Sequence, residues 1–184
     1  MMILADVGLP MIFLQWPFMI CALIPVLIVE ALLIRRWVPL SNKQSFAGIS
    51  LANIVSTLIG IPLAWLAMLL VEFIVLYPVS LASAKWHWNL DSPVFSVLGF
   101  VFSIAWLEPT DIEWIALTAG ALLLIPCFYA SVWIERAVCL WAWPDVDRSE
   151  VRRGVFLANM ASYALLFLFL CGWIIWELVT KKGN

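Results

Sequence analysis

Four apolar stretches, each long enough to cross a lipid bilayer, constrain this 184-residue chain more than any other feature. They cover residues 11–34, 47–76, 113–140 and 154–179. A hydrocarbon core of about 30 Å takes about 20 helical residues, so each stretch is predicted to form a transmembrane helix. Of all residues, 65% are hydrophobic and 12% are charged, against about 45–50% and about 25% in soluble domains. We therefore predict an all-α integral membrane protein whose main partner is the lipid bilayer.

The connection between the second and third spans, residues 77–112, contains a fifth apolar stretch at 94–106. It is too short to cross the hydrocarbon core, and it is bounded by Pro93 and by Pro109. Apolar segments of about 10–14 residues are more often interfacial or re-entrant than transmembrane. We therefore expect a short interfacial or re-entrant helix in this outer loop.

The distribution of basic residues predicts how the chain is oriented. Seven Lys and Arg residues lie on the side of the two short hairpin loops and three on the other, namely Arg35, Arg36, Lys43, Arg136, Arg148, Arg152 and Arg153 against Lys85, Lys181 and Lys182. Because basic residues concentrate on the cytoplasmic side, we expect both hairpin loops in the cytoplasm. Both termini and the 77–112 loop then face outward, into the periplasm of a bacterial cytoplasmic membrane.

A short sequence occurs twice in the chain and indicates an internal repeat. Residues 51–56 (Leu-Ala-Asn-Ile-Val-Ser) recur as 157–162 (Leu-Ala-Asn-Met-Ala-Ser), 106 positions later. We predict two homologous hairpins in a single membrane domain, one at about 11–76 and the other at about 113–179. Both hairpins enter the membrane in the same sense, whereas many alternating-access carriers have inverted repeats. This parallel arrangement weighs against a transporter.

Small residues recur every fourth position in the second and fourth spans and are predicted to mediate helix packing. They are Gly48, Ala52, Ser56 and Gly60 in the second span and Gly154, Ala158 and Ser162 in the fourth. A spacing of four places them on one ridge of each helix, and small ridges let helix backbones approach closely in lipid. We expect the second and fourth spans to pack against each other, with a homodimer interface as the alternative.

Four polar residues inside the spans are the candidate functional residues. Glu30 precedes Asn53 by 23 residues, and Glu135 precedes Asn159 by 24, so each hairpin can pair a carboxyl group with a carboxamide. One interpretation is an interhelical clamp worth about 0.6–2 kcal/mol per hydrogen bond, assisted by an ion pair between Glu135 and the adjacent Arg136. The other is a proton or cation site, since ionisable residues in lipid are functional candidates.

Catalytic and metal-binding patterns are missing from the sequence. His87 is the single histidine, and the four cysteines form no Cys-x-x-Cys pair, so we expect no metal site, no cofactor and no disulfide framework. No nucleophile elbow, phosphate loop or zinc-protease motif occurs. The net charge of −2 excludes a nucleic-acid-binding protein. Four acidic residues of the outer loop are expected to form a solvated rim and not a calcium site, namely Asp91, Glu108, Asp111 and Glu113.

The two hairpins also resemble a known family. The first span ends in a Glu, residues 40–45 (Leu-Ser-Asn-Lys-Gln-Ser) follow, and the Leu-Ala-Asn motif returns at 157–159 ahead of Ser162 and Tyr163. This pattern is similar to the FraC-type filament-integrity membrane proteins of cyanobacteria and to bacterial multipass relatives of that size. The resemblance implies an integral cytoplasmic-membrane protein of cell–cell junctions or an assembly partner, and it does not extend to the outer loop.

Together these features predict a non-enzymatic structural, accessory or assembly subunit of a membrane complex or junction. Its partners would be other membrane subunits or further copies of itself. The alternative is a small proton- or cation-coupled transporter or channel that uses the four intramembrane polar residues.

Overall fold

The computed structural model describes residues 11–86 and 113–180, and these two stretches are helical apart from short connections. The elements are α1 (Met11–Ile34), α2 (Asn42–Val55), a π-helical segment (Ser56–Gly60), α3 (Ile61–Trp86), α4 (Glu113–Ala142) and α5 (Arg148–Thr180). No strand occurs in either stretch, so the all-helical class is confirmed for the described residues. The predicted helix at 94–106 lies outside them.

Three helical segments are long and apolar enough to cross a membrane. They are Asn42–Val79, Gly120–Ala142 and Arg148–Thr180, whereas Cys21–Ile34 within α1 is a shorter apolar helix. Their outer surfaces carry large apolar side chains, including Trp133 and Trp141, which are 71% and 75% exposed. A surface of this kind is compatible with lipid and not with water. By length and composition, these three helices are compatible with a multipass membrane protein.

The second span begins five residues earlier than predicted because the sequence before it forms a helix cap. The Gln44 N–H donates to Ser41 Oγ at 3.3 Å, and the Ser41 N–H donates to Gln44 Oε1 at 3.1 Å. This reciprocal pair is a capping box, which satisfies helix N–H groups that lack intrahelical partners. The helix therefore starts at Asn42.

The π-helical segment in the middle of the second span has a local cause. Pro62 has no N–H, and its ring clashes with the carbonyl of the residue four positions earlier, Leu58. The wider turn at Ser56–Gly60 relieves this conflict without ending the helix. Both ends of the segment, Ser56 and Gly60, are buried and face α4.

Helix α5 begins at a second polar cap. The Ser149 N–H donates to Asp147 Oδ1 at 2.5 Å, and the Val151 N–H donates to the Asp147 carbonyl at 3.1 Å. These contacts let the chain turn from α4 into α5 within five residues, 143–147. Hydrogen bonds from Ser149 lower the pKa of the exposed Asp147 carboxyl below its ordinary value.

Helices α1, α2, α4 and α5 surround a common axis, and each of them packs on two neighbours. Helix α1 contacts α2 and α5, and α4 contacts α5 and α2. Within the described residues the second and fourth spans share no extensive interface, so the predicted packing of these two spans is wrong. Their small residues face the opposite hairpin instead: a Cβ on Gly48 would overlap the indole of Trp143, and a Cβ on Gly154 would lie 2.7 Å from Ile34 Cδ1.

The densest packing is at the end of the bundle that carries the two short connections. Its buried apolar residues come from α1, α2, α4, α5 and the two connections, namely Ala31, Ile34, Val38, Ile49, Ala52, Cys139, Trp143, Val151 and Val155. Each is 7% exposed or less. This core surrounds the polar side chains described next and separates them from solvent.

Candidate functional site

Two carboxyl groups lie inside this core. Glu30 on α1 is 0% exposed and Glu135 on α4 is 1% exposed. Burial of a carboxyl group is costly unless it is hydrogen-bonded or paired with a charge. The partners of these two side chains therefore decide what the site can do.

Each glutamate accepts a hydrogen bond from an asparagine of its own hairpin. Asn53 Nδ2 donates to Glu30 Oε2 at 2.7 Å, and Asn159 Nδ2 donates to Glu135 Oε2 at 2.6 Å. Each amide also donates to a carbonyl one turn earlier, that of Ile49 or of Val155, both at 3.1 Å. Both hydrogens of each amide are thus used, and the amides are fixed in orientation.

Each glutamate also accepts a hydrogen bond from a serine of the other hairpin. Ser162 Oγ donates to Glu30 Oε1 at 2.5 Å, and Ser56 Oγ donates to Glu135 Oε1 at 2.8 Å. Both carboxyl groups therefore bridge the two hairpins. We refer to these six residues, Glu30, Asn53, Ser56, Glu135, Asn159 and Ser162, as the Glu/Asn/Ser cluster.

The two glutamate side chains also lie close enough to each other at the bundle axis to interact directly. They come from α1 and α4, the two helices that lie across the axis from one another. Long side chains thus connect helices whose backbones are not in extensive contact. The cluster therefore contains side chains from α1, α2, the π-helical segment, α4 and α5.

The ion pair expected between Glu135 and Arg136 is not formed, which corrects the sequence-based expectation. The Arg136 guanidinium lies over the Phe156 ring, 5.4 Å from its centroid, and Arg136 Nε has no hydrogen-bond partner. Successive residues of a helix point about 100° apart, so Glu135 can face the axis while Arg136 faces α5. The partners of both carboxyl groups in the described structure are amides, hydroxyls and the other carboxyl.

One acceptor of the cluster remains without a partner. Asn159 Oδ1 is buried and receives no hydrogen bond, although Asn159 Nδ2 makes two. Buried acceptors are normally satisfied, so an unsatisfied one points to a missing donor or positive charge. A second buried hydroxyl pair, Ser131 and Tyr163 at 2.8 Å, lies between α4 and α5.

The structure brings Glu30, Asn53, Glu135 and Asn159 together, and it buries every residue of the two small-residue ridges. Ala52 and Ala158 are 0% exposed, and Gly48, Gly60 and Gly154 make close interhelical contacts. The small-residue ridges predict only a packing role for Ser56 and Ser162, and they do not predict the hydrogen bonds of these serines to the glutamates. The available signal was that a hydroxyl follows each Leu-Ala-Asn motif at the same position.

The other candidate residues of the sequence are either free thiols or lie outside the described residues. The described residues contain no group of three or more His, Cys, Asp or Glu side chains placed to hold a metal ion. The four cysteines, Cys21, Cys127, Cys139 and Cys171, are free thiols. His87 and the acidic outer-loop residues Asp91, Glu108 and Asp111 lie outside the described residues, as does the side chain of Glu113. No family model, curated protein or solved structure matches the chain.

Proposed function

We propose that this chain is a non-enzymatic structural, accessory or assembly subunit of a membrane complex or cell–cell junction. The single observation that carries the proposal is the Glu/Asn/Ser cluster. Its six side chains are hydrogen-bonded to one another, and two of the four side chain–side chain bonds join one hairpin to the other. Interhelical hydrogen bonds and close packing are what hold membrane helices together in lipid.

The proposal includes four transmembrane helices arranged as two homologous hairpins, with α1 as the first span. The repeat is supported by equivalent contacts in the two halves: Glu30 pairs with Asn53 and Ser162, and Glu135 pairs with Asn159 and Ser56. Gly48 and Gly154, which are 106 positions apart, each pack on residues at the end of the opposite hairpin's first helix. Exchange of the two hairpins reproduces the same contacts.

The proposed partners are other membrane subunits or further copies of this chain, in a bacterial cytoplasmic membrane with both termini outward. The outer surface offers exposed aromatic side chains for contact with lipid or with neighbouring helices. They include Phe46, Tyr129, Trp133, Trp141 and Trp176, each at least half exposed. The junction role is the one implied by the resemblance to FraC-type proteins.

Purification from native membranes tests this function. The tagged chain would be solubilised in a mild detergent that preserves complexes, sized, and analysed by mass spectrometry. We expect a stoichiometric membrane partner or a defined homo-oligomer. Recovery as a monomer without partner, in a detergent that keeps a known complex from the same membranes intact, would contradict the proposal.

A second candidate function is supported by a specific observation, the contact between two buried carboxyl groups. Intramembrane carboxyls of this kind occur in proton relays and ion pathways. A proton- or cation-coupled transporter or channel would use Glu30 and Glu135 as the coupling site. In proteoliposomes, Glu30→Gln with Glu135→Gln should then abolish a pH-dependent flux that the folded wild type supports. A wild type without any such flux would count against this candidate.

A further inference from the structure

The two buried glutamates would both be negatively charged if ionised, and their hydrogen-bond partners in the described structure carry no positive charge. Two ionised carboxylates in contact repel each other, and the repulsion grows as the surrounding dielectric constant falls. Glu30 and Glu135 are both in the core, and their partners in the described structure are neutral amides and hydroxyls or each other. One proton shared by the two carboxyl groups would remove one of the two charges.

A count of hydrogens at the serines leads to the same requirement. The Ser56 hydroxyl has one hydrogen, yet Ser56 Oγ lies 2.8 Å from Glu135 Oε1 and 3.1 Å from the Asn53 carbonyl oxygen. Ser162 Oγ likewise lies 2.5 Å from Glu30 Oε1 and 3.0 Å from the Asn159 carbonyl oxygen. At each serine one hydrogen therefore serves two acceptors, the glutamate carboxyl and the backbone carbonyl. Protonation of a glutamate would end this competition at its own serine, because the carboxylic acid can donate to Oγ while the serine hydrogen turns to the carbonyl.

The unsatisfied Asn159 Oδ1 is an independent sign that the cluster is short of hydrogens or positive charge. This oxygen is fully buried, and it belongs to the same side chain that donates to Glu135. An acceptor in this position would be satisfied by an added proton donor or a cation. The carboxyl contact, the serine contacts and this orphan acceptor all indicate the same deficit.

We propose that the Glu30–Glu135 pair is a proton-binding site, which holds one proton between its two carboxyl groups at neutral pH. Loss of that proton leaves two negative charges in contact and weakens the Glu30–Ser162 and Glu135–Ser56 hydrogen bonds between the hairpins. The inference concerns the cluster itself and does not depend on the proposed subunit role. Its test therefore gives an answer whether or not the chain copurifies with a partner.

Few other titratable or charged groups face the pair. Cys139 on α4 and Tyr163 on α5 are close enough to interact electrostatically with both glutamates. Arg136 on α4 turns to Phe156 instead. Helix α2 contributes the neutral Asn53 and Ser56, and Glu72 of α3 is about 28 Å from Asn53 along the helix at 1.5 Å per residue. We therefore assign proton uptake by the cluster to the two glutamates.

Infrared spectroscopy reports protonated carboxyl groups directly, because their C=O stretch is separate from the carboxylate bands. The full-length protein would be measured in lipid nanodiscs over a pH series, in a Glu72→Gln background, since Glu72 Oε2 is also buried without a partner. At neutral pH we expect a band equal to one carboxylic acid per chain. It should shift in D₂O and disappear at alkaline pH. Absence of this band at neutral pH would overturn the proposal.

Variants assign the band to the pair. Glu30→Gln together with Glu135→Gln should remove it, whereas the matched control Glu150→Gln, an exposed residue of the same bundle end, should leave it unchanged. Persistence of the full band in the double variant would contradict the assignment. If the double variant does not fold, each single glutamine variant should still shift the frequency of the band, because the group next to the remaining carboxylic acid has changed; an unshifted band in both would contradict the assignment.

A replacement of Na⁺ by K⁺ at constant pH separates a proton site from a sodium site. We expect the band and the melting temperature to be the same in the two salts. A melting temperature that rises with Na⁺ in a protein without the carboxylic acid band would assign the cluster to sodium and overturn the proton assignment.

Discussion

Ser162 on α5 donates a 2.5 Å hydrogen bond to Glu30 Oε1 on α1, although the two residues are 132 positions apart in the chain. The equivalent bond from Ser56 to Glu135 Oε1 is 2.8 Å long and spans 79 positions. These two bonds run in opposite directions between the hairpins. Removal of either one takes from a buried carboxyl group its serine partner in the other hairpin.

Ser56→Ala is therefore expected to destabilise the folded bundle. Loss of a donor to a buried charged or polar group costs about 1–3 kcal/mol, because the acceptor remains desolvated and unpaired. Unfolding in mixed micelles, followed by circular dichroism, measures this change. Ser50→Ala on the same helix is the control, since Ser50 is outside the cluster and half-buried. Equal effects of the two substitutions would show that the Ser56 hydroxyl contributes nothing specific.

Gly48→Ala is expected to lower stability by about 1–3 kcal/mol through overpacking. An added Cβ would overlap the Trp143 indole, so either this buried side chain or the backbone of α2 must shift. The control is Gly172→Ala, where nothing lies within 4 Å of the added methyl. Its expected effect is neutral or stabilising, because alanine favours a helix by about 1 kcal/mol over glycine. The comparison would fail if Gly48→Ala were as well tolerated as Gly172→Ala.

Asn159→Asp is expected to destabilise the bundle at neutral pH by about 3 kcal/mol or more, the usual cost of an uncompensated buried charge. The substitution replaces a donor to Glu135 with a third carboxyl group. Acidification should recover part of the loss, because it neutralises the added charge. Asn42→Asp, at the exposed first position of α2, is the control and should be neutral or slightly stabilising through the helix dipole. A pH-independent loss in Asn159→Asp would argue against a charge effect.

The contribution of Asp147 to the N-terminal cap of α5 should be lost at acidic pH. Its folded-state pKa is lowered by the hydrogen bonds from Ser149, so its contribution to stability is present above the ordinary carboxyl range. That contribution is lost as the pH falls through the lowered value. Asp147→Ala should lower the melting temperature slightly at neutral pH and have no effect at strongly acidic pH. An equal effect of Asp147→Ala at both pH values would exclude this role.

The helical structure of the apolar stretches and the pairing of Glu with Asn next to each short connection could be predicted from the sequence for simple reasons. A short loop sets two helices antiparallel, so residues near the same connection lie in the same part of the bundle. Glu30 and Asn53 each lie within 12 residues of the connection at 35–41, and Glu135 and Asn159 each lie within 12 residues of the connection at 143–147. The start of α2 was placed too late because the capping box at Ser41 and Gln44 was not recognised.

The contacts between the hairpins could not be predicted in the same way. A small-residue ridge shows that something approaches closely, but it does not show which helix approaches. Gly48 meets Trp143 of α4, and Gly154 meets Ile34 of α1, whereas the sequence analysis paired the second and fourth spans with each other. From the sequence alone, Ser56 cannot be distinguished from a small packing residue, because the glutamate that accepts its hydrogen bond comes from the other hairpin.

The most direct test of the account is the coupling energy between Glu30 and Ser162. Unfolding free energies in mixed micelles would be measured for the wild type, Glu30→Met, Ser162→Ala and the double variant, with Glu30→Met and Ser50→Ala as the uncoupled control pair. If the cluster joins the hairpins, the two changes should be non-additive by about 1–3 kcal/mol, as for residues in one hydrogen-bond network. Additivity within about 0.5 kcal/mol, equal to the control pair, would contradict the central claim.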